Sequence, residues 1–355
     1  NLNEPCAIED TSWIKPGKVI REVTLTTNGG KACVDFAVKH NFEYIEFDAG
    51  WYGHESDAAQ DATTVTVDPK RSKGPLDLHE VIRYAEEHGI GVWVYVNRRH
   101  LEKQLDEILP LYHSWGIKGV KYGFVQVGSQ QWTAWLHEAV RKAAEHKLLV
   151  DIHDEYRPTG YSRTYPNLLT QEGIRGNEEM PPPEHNLILP FTRSLCGAGD
   201  YTICWYTDRI KTSHAHQMAA SVVFYSPLQF LYWYDTPSEF SDEPELAFFD
   251  HLPTVWDDSR VIQGEIGEYI TMARRKGNEW WVATMNAGKR RTLKIPLAFL
   301  EPDKAYNADI YSDADPSGDN PWDVRCETRS VRASHLLEAD CAANGGQAIR
   351  LVPAE

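Results

Sequence analysis

The sequence lacks what several large protein classes require. No apolar run approaches the about 20 residues needed to span a bilayer. The chain opens on polar Asn-Leu-Asn-Glu-Pro, with neither a leader nor an initiator Met, which reads as a mature or truncated form. Cysteines are few (Cys6, Cys33, Cys196, Cys204, Cys326 and Cys341) and no CxxC pair occurs. A zinc ribbon and a disulfide scaffold are thereby excluded, which leaves either one Cys326–Cys341 bridge or two free thiols. Positive charge is short: 36 Lys+Arg stand against 52 Asp+Glu, a formal charge of −16. Nucleic acid and anionic membranes both want a basic face, so neither is expected as a partner. No Gly-rich phosphate turn follows the first strand-like run, which disfavours a doubly wound nucleotide-binding sheet. Internal repeats and low-complexity segments are absent.

What remains is a globular composition with an aromatic excess. Apolar residues make up 42% and charged residues 25%, so the chain can bury a core and disorder is excluded as its main state. Twelve Trp and 17 Tyr among 355 residues is high. Aromatic rings build cores first, and their apolar faces also match the C–H faces of sugars.

The first 256 residues alternate strand-like and helix-like runs. Strands are predicted at Lys18 to Thr26, Tyr44 to Asp48, Val92 to Val96, Val120 to Val127, Leu148 to Ile152, Leu168 to Thr170, Tyr201 to Trp205 and Phe230 to Tyr234. Helices are predicted at Lys31 to Asn41, Asp77 to His88 with Asp77 as N-cap, Leu101 to Trp115, Gln131 to His146 and His214 to Tyr225. Eight such units fit a (β/α)8 TIM barrel, whose usual length is about 250 residues. From 257 to 355 the pattern changes to short strands, among them Tyr269 to Ala273, Trp280 to Thr284, Arg291 to Ile295 and Ala348 to Val352. That stretch reads as a small all-β sandwich domain, with 313–319 (DADPSGD) as a loop.

In a barrel the chemistry lies just past the C-terminal ends of the strands. The polar residues there are Asp48, Trp51 and Glu55, then Asn97 with Arg98, Arg99 and His100, then Gln126 and Gln130. His153, Asp154 and Glu155 follow, then Glu172, Glu178 and Glu179, then Asp200 and Asp235. Crowded carboxylates repel, which raises some pKa values and keeps one group protonated as a general acid. Glycosidic hydrolysis needs that acid and a second carboxylate, and a hard cation such as Ca²⁺ can neutralise the remainder. Taken singly, each acid is more often a cap or an ion-pair partner than a catalyst. The segment 157–167, with two Pro and a Gly, is a shaped loop over the presumed site. Glu172 and Glu178 are six residues apart across two glycines that permit a bend. His137 and His146 read as surface or helix-end residues, and His214 and His216 mostly as structural. No helical HxxxH with a third ligand supports zinc.

At these residues the chain resembles a known family. WIKPGK (13–18), FDAGWYG (47–53), KYGFVQ (121–126), RPTGYSRTYPN (157–167), QEGIRGNEE (171–179) and GAGDYT (197–202) resemble glycoside hydrolase family 97. The resemblance runs in order along the whole chain. It implies a calcium-dependent α-glucosidase or α-galactosidase of a kind known chiefly from Bacteroidetes, periplasmic or secreted, with an oligosaccharide substrate. It also implies an N-terminal β-supersandwich that this sequence does not contain, so that part is expected to be missing or on another chain. By position, Glu178 matches the general acid and a metal ligand, and Glu172 a calcium ligand. Glu155 matches a carboxylate that binds calcium and serves as general base, with Asp154 as its alternative. Glu55 is assigned as second base, with Glu102 as fallback. His153, Trp51, Asp48, Arg175 and Trp205 are assigned to substrate binding. In the family's retaining subgroup an Asp nucleophile occupies the middle of K-x-D-F, where this chain has Lys121-Tyr122-Gly123-Phe124. Gly123 supplies no nucleophile, so the resemblance implies an inverting exo-acting α-glucosidase on maltooligosaccharides. The competing readings are an α-galactosidase of the same family, a non-catalytic sugar-binding barrel and an unrelated acidic barrel.

Overall fold

The computed structural model describes residues 3–241, 243–314 and 322–354. Contacts divide the chain into two compact units. The first comprises 1–175, 196–202 and 226–239; the second comprises 176–195, 203–225 and 240–355. Segments 176–195 and 203–225 thus group with the second unit, ahead of the single boundary at 256 read from the sequence.

The first unit alternates strand and helix: β1 (Gly17–Glu22), α1 (Thr27–Lys39), β2 (Tyr44–Phe47), α2 (Leu78–Glu87), β3 (Gly91–Asn97), α3 (Arg98–Trp115), β4 (Gly119–Gly123), α4 (Gln130–Glu145), β5 (Leu149–Ile152), β6 (Leu168–Gln171) and β7 (Leu228–Leu231). Side chains at the helix starts satisfy the otherwise orphan N–H groups. Thr26 accepts from Gly29 N, Asp77 from Glu80 N, Asn97 from Arg99 N and Ser129 from Trp132 N. Gly116, at φ 94°, ends α3 in the left-handed conformation that a side chain would oppose. All seven strands are parallel, in the order β6-β5-β4-β3-β2-β1-β7.

This is a TIM barrel with one departure from the expected eight strands. Tyr201 to Trp205 forms no strand. Instead the segment just before it lies irregularly against β6: Asp200 N donates to Gln171 O at 3.1 Å, and Gln171 Nε2 donates to Ala198 O at 2.8 Å. Across the remaining gap, the Thr170 hydroxyl meets the Ser226 hydroxyl at 2.7 Å. Short polar contacts thus stand where a full ladder would close the sheet.

The second unit holds α5 (Pro183–Ile188), α6 (His214–Val223), α7 (Ala247–His251) and eight antiparallel strands: β8 (Asp258–Glu265), β9 (Tyr269–Lys276), β10 (Glu279–Asn286), β11 (Arg291–Pro296), β12 (Tyr306–Asp313), β13 (Val324–Val331), β14 (Leu336–Cys341) and β15 (Gly346–Pro353). Six of them form one sheet, β13-β12-β15-β10-β9-β8, and β11 pairs with β14. Val282, Ile310, Ile349, Ile295, Leu337 and Ala339 form the apolar layer between the sheet and the pair. The buried helix α6 approaches β15 so closely that a Cβ on Gly346 would stand 2.9 Å from His216 Cα. The sequence reading located β9, β10, β11 and β15 and missed β8, β12, β13 and β14. Of the 313–319 loop, Asp313 ends β12 and 315–319 lies outside the described residues. Cys326 and Cys341 are free thiols, one exposed and one buried, so the bridge is not formed.

Candidate active site

Strand parity decides which side chains meet inside the first unit. Every second residue of a barrel strand points inward. The register aligns Arg21 with Glu46, Glu46 with Trp93, Tyr95 with Lys121, and Lys121 with Asp151. The inward layer is therefore charged, where branched aliphatic residues usually sit. Two residues further along each strand, the same parity carries Asp48, Asn97, Gly123, His153 and Glu172 toward the C-terminal end.

Ion pairs offset much of this burial cost. Asp48 Oδ2 lies 3.2 Å from Arg21 Nε and 3.5 Å from Lys121 Nζ. Both cations also stand over the ring of Trp233, at 4.4 and 4.0 Å from its centroid. Burial opposes the charge on Asp48, but Lys121 and Arg21 outweigh it and hold the carboxyl below its usual range. Glu46 has no such excess of partners. Burial first, and then the charge of Asp48, push its pKa well up, and neither carboxyl oxygen has a hydrogen-bond partner among the described residues.

His153 gathers three carboxylates. Its Nε2 lies 2.6 Å from Asp200 Oδ2 and 3.4 Å from Asp151 Oδ2, and its Nδ1 lies 3.5 Å from Glu172 Oε2. Burial and Lys121 disfavour the imidazolium, but Glu172, Asp151 and Asp200 prevail and raise its pKa well above the usual value. Asp151 is raised in turn, chiefly by burial. The result is a proton-rich cluster in which a cationic imidazole spaces the acids.

Beside it the backbone is strained. Phe124 and Asp154 follow β4 and β5 at φ 54° and 67°, a region that costs non-glycine residues energy. The Phe124 N–H donates to the Asp154 carboxylate, and the Asp154 N–H donates to Glu172. Asp154 is thereby held against the end of β4, next to Gly123. At Gly123 itself a Cβ would stand 2.0 Å from Cε2 of the Tyr95 phenol, so any side chain there requires that ring to shift. The Tyr95 hydroxyl accepts from Asn97 Nδ2 at 3.3 Å, and its backbone carbonyl accepts from Trp51 Nε1 at 2.7 Å.

The structure unites some of the expected residues and removes others. Asp48, His153 and Glu172 are buried at the strand ends of the first unit. Asp154 points into this network, whereas Glu155 is exposed. Glu55 is buried and ion-paired with Arg71 at 2.8 Å, which corrects its reading as a free second base. Glu102 pairs with Arg98 at 3.3 Å and accepts from Gln126 Nε2 at 3.0 Å. Trp51, 0% exposed, packs on Tyr52 and Tyr112, so it is a core residue and presents no face to a sugar. Trp205 is likewise corrected: it is buried in the second unit, stacked on His214 at 3.9 Å. Arg175 is exposed, and Glu178 lies half-buried on the 177–179 turn of the second unit. The loop 157–167 is shaped as expected, with Tyr161 stacked on His137 at 3.8 Å. The sequence reading missed Arg21, Tyr95, Lys121, Asp151 and Trp233. For Arg21, Lys121 and Asp151 the signal was charge inside otherwise apolar strands, and Tyr95 shares their interior parity.

Calcium takes oxygen ligands. The carboxylates implied for it supply the right donor type at Glu172 and Glu178, whereas Glu155 is exposed. Asp151, His153 and Asp200 also offer ligand atoms within 4.8 Å of one another. The imidazole in that group and its short contact with Asp200 suit a proton better than a hard cation.

The sequence model described as Glycoside hydrolase 97 matches residues 13–174, and the one described as Glycosyl-hydrolase 97 C-terminal, oligomerisation, matches 255–352. A retaining alpha-galactosidase of Bacteroides thetaiotaomicron is 32% identical over 384 residues, covering 99% of this chain and 56% of that protein. A probable retaining alpha-galactosidase of Streptomyces bingchenggensis is 31% identical, covering 96% and 53%. The chain thus spans about half the length of the curated relatives it matches. A family 97 enzyme from Pseudoalteromonas sp. strain K8, solved in complex with acarbose, superposes with a TM-score of 0.89 at 30% identity over 100% of this chain and 63% of its own. A beta-arabinopyranosidase shares the fold, with a TM-score of 0.77 at 20% identity over 98% of this chain and 57% of its own. With both family models matched in order along a TIM barrel and an antiparallel β unit, the chain belongs to glycoside hydrolase family 97.

Proposed function

We propose that this chain is the catalytic part of an exo-acting α-glycoside hydrolase that works by inversion, with α-galactosides as its substrates. The names of the two curated relatives favour the galactoside. Those relatives are named retaining, and the mechanism is where this chain departs from them. One observation carries that departure: position 123 has no carboxylate, and Tyr95 fills the place where one would stand. Without a covalent nucleophile, a base must direct water onto the anomeric carbon. Asp154, pinned beside Gly123, takes that role in place of Glu155 and accepts the water proton. Glu178 donates its proton to the departing glycosidic oxygen. Asp48, Lys121 and His153 bind and orient hydroxyl groups. Calcium, where bound to Glu172, would supply fixed positive charge that orders the carboxylates and substrate oxygens. Export to the periplasm or medium belongs to the same proposal.

A second reading, α-glucosides, is favoured by Gly123 itself, because the resemblance links nucleophile-free members with maltooligosaccharides. ¹H NMR of melibiose and maltose hydrolysis, with and without a calcium chelator, tests both. β-Galactose appearing first supports the main reading, and β-glucose the second. α-Galactose first from melibiose, or α-glucose above the share carried by maltose's own reducing end, overturns inversion.

A further inference from the structure

A second feature of the first unit lies at the same end of the barrel. A pocket of about 250 Å³ opens past β1 and β2, lined in part by Arg21, Glu22, Asp48, Lys70, Arg71 and Lys73. Four cations face two carboxyl groups there, in a chain whose formal charge is −16. Both carboxyls are already engaged by groups of the protein. Asp48 is shared between Arg21 and Lys121. Glu22 accepts from the Thr24 and Leu25 N–H groups, and burial raises its pKa. Arg71 is matched by Glu55. Lys70 and Lys73 are exposed and have no carboxylate partner among the described residues.

The backbone that carries these cations is fixed by hydrogen bonds. Asp68 is buried, and its backbone N–H bonds Gly50 O at 2.8 Å. Its side chain accepts from Lys70 N at 2.9 Å, and its carbonyl from Arg71 N at 3.0 Å. Lys73 N bonds Thr24 O at 2.9 Å, just past β1. The Arg71 guanidinium also donates to Ala49 O at 3.2 Å. A loop fixed this way loses little freedom on binding an anion.

We infer that this pocket is a subsite for an acidic group on the glycoside, the carboxylate of a hexuronate or the sulfate of a sulfated hexose. The inference rests on the glycosidase reading and narrows its substrates. The pocket is smaller than the about 300–1,000 Å³ of drug-sized sites, so it suits one sugar unit rather than a polyanion. Asp48 lines the pocket and belongs to the buried network too, so an acid held there borders the proposed reaction centre.

The test is ligand-observed NMR titration of the full chain at low salt with galactose, galacturonate, galactose 6-sulfate and inorganic sulfate. Turnover of 4-nitrophenyl α-galactoside is followed in parallel. At least one acidic sugar should bind about tenfold tighter than galactose, and the Lys70→Gln/Lys73→Gln variant should remove that preference. Galactose affinity and neutral turnover should not change in the variant. Tight galacturonate indicates a carboxylate, and tight galactose 6-sulfate a sulfate. Equal binding of acidic and neutral sugars, a preference that survives the double substitution, or inorganic sulfate binding as tightly as the sugar acids would each overturn the inference. Neutral turnover without acid preference refutes the subsite alone. Acid preference without turnover of the α-galactoside refutes the α-galactoside reading and leaves the subsite standing.

Discussion

The phenol of Tyr95 occupies the space that any side chain on Gly123 would need. These two residues lie on adjacent strands, β3 and β4, where Asn97 pairs with Gly123.

Gly123→Asp alone is expected to destabilise the protein by about 1–3 kcal/mol through overpacking, and not to produce retention. Adding Tyr95→Ala makes room and should return part of the lost stability. Thermal melts and product anomers by NMR check this. A well-folded Gly123→Asp single variant with unchanged melting would show that the phenol moves aside freely.

Asp154→Asn keeps an acceptor for the Phe124 N–H but removes the base. It should lower kcat by about 10²–10⁴-fold. Glu155→Gln, at an exposed position, should change kcat by no more than about threefold, because its carboxylate lacks a fixed place. Steady-state kinetics on one substrate decide between them, and the reverse order would restore Glu155 as the base.

Glu178→Gln should cost about 10²–10⁴-fold on a natural disaccharide and far less on a 4-nitrophenyl glycoside, whose leaving group needs little protonation. Equal losses on the two substrates would remove Glu178 from the acid role.

The second unit should be acid-sensitive through His216. Burial lowers its pKa to about 4; its Nδ1 faces Gly345 O at 3.1 Å and its Nε2 faces Asn186 Nδ2 at 3.2 Å. With Nδ1–H donating to the carbonyl, Nε2 accepts from the amide, so the ring is neutral. The folded pKa is below the unfolded value of about 6.5, so the unfolded chain binds the proton first. This contribution is complete above pH about 6.5 and is lost as pH falls through about 4, at up to about 1.4 kcal/mol per pH unit. His216→Gln should reduce the slope of denaturation free energy against pH over that window by about one proton. An unchanged slope would place the linkage elsewhere, with His214, also lowered to about 4 by burial, as the first candidate.

Much of the fold was legible because its signals are local. Asp77 before an amphipathic run caps α2, and Ser129 and Asn97 act alike at α4 and α3. The second unit was read less fully. β8 and β13 are mostly exposed and polar, so they carry little alternation for a sequence pattern to reveal. Tyr201 to Trp205 shows the opposite failure. Its apolar run suggests a strand, yet the Thr202 N–H donates to the Asp200 carboxylate at 3.2 Å and Thr202 bends at φ 58°, which leave it irregular.

By itself the sequence determined the strand–helix alternation, the acids at the strand ends and the missing carboxylate at position 123, because each depends on residue type and near neighbours alone. Only the tertiary structure decided what those residues face. It paired Asp48 with Lys121, 73 positions away, and set Tyr95 into the space beside Gly123. It also withdrew Trp51 and Trp205 into cores and separated Asp154 from Glu155 by burial. A ring's exposure and a carboxylate's charge state depend on what packs over them, and that is set by strand register and distant contacts rather than by the residues on either side.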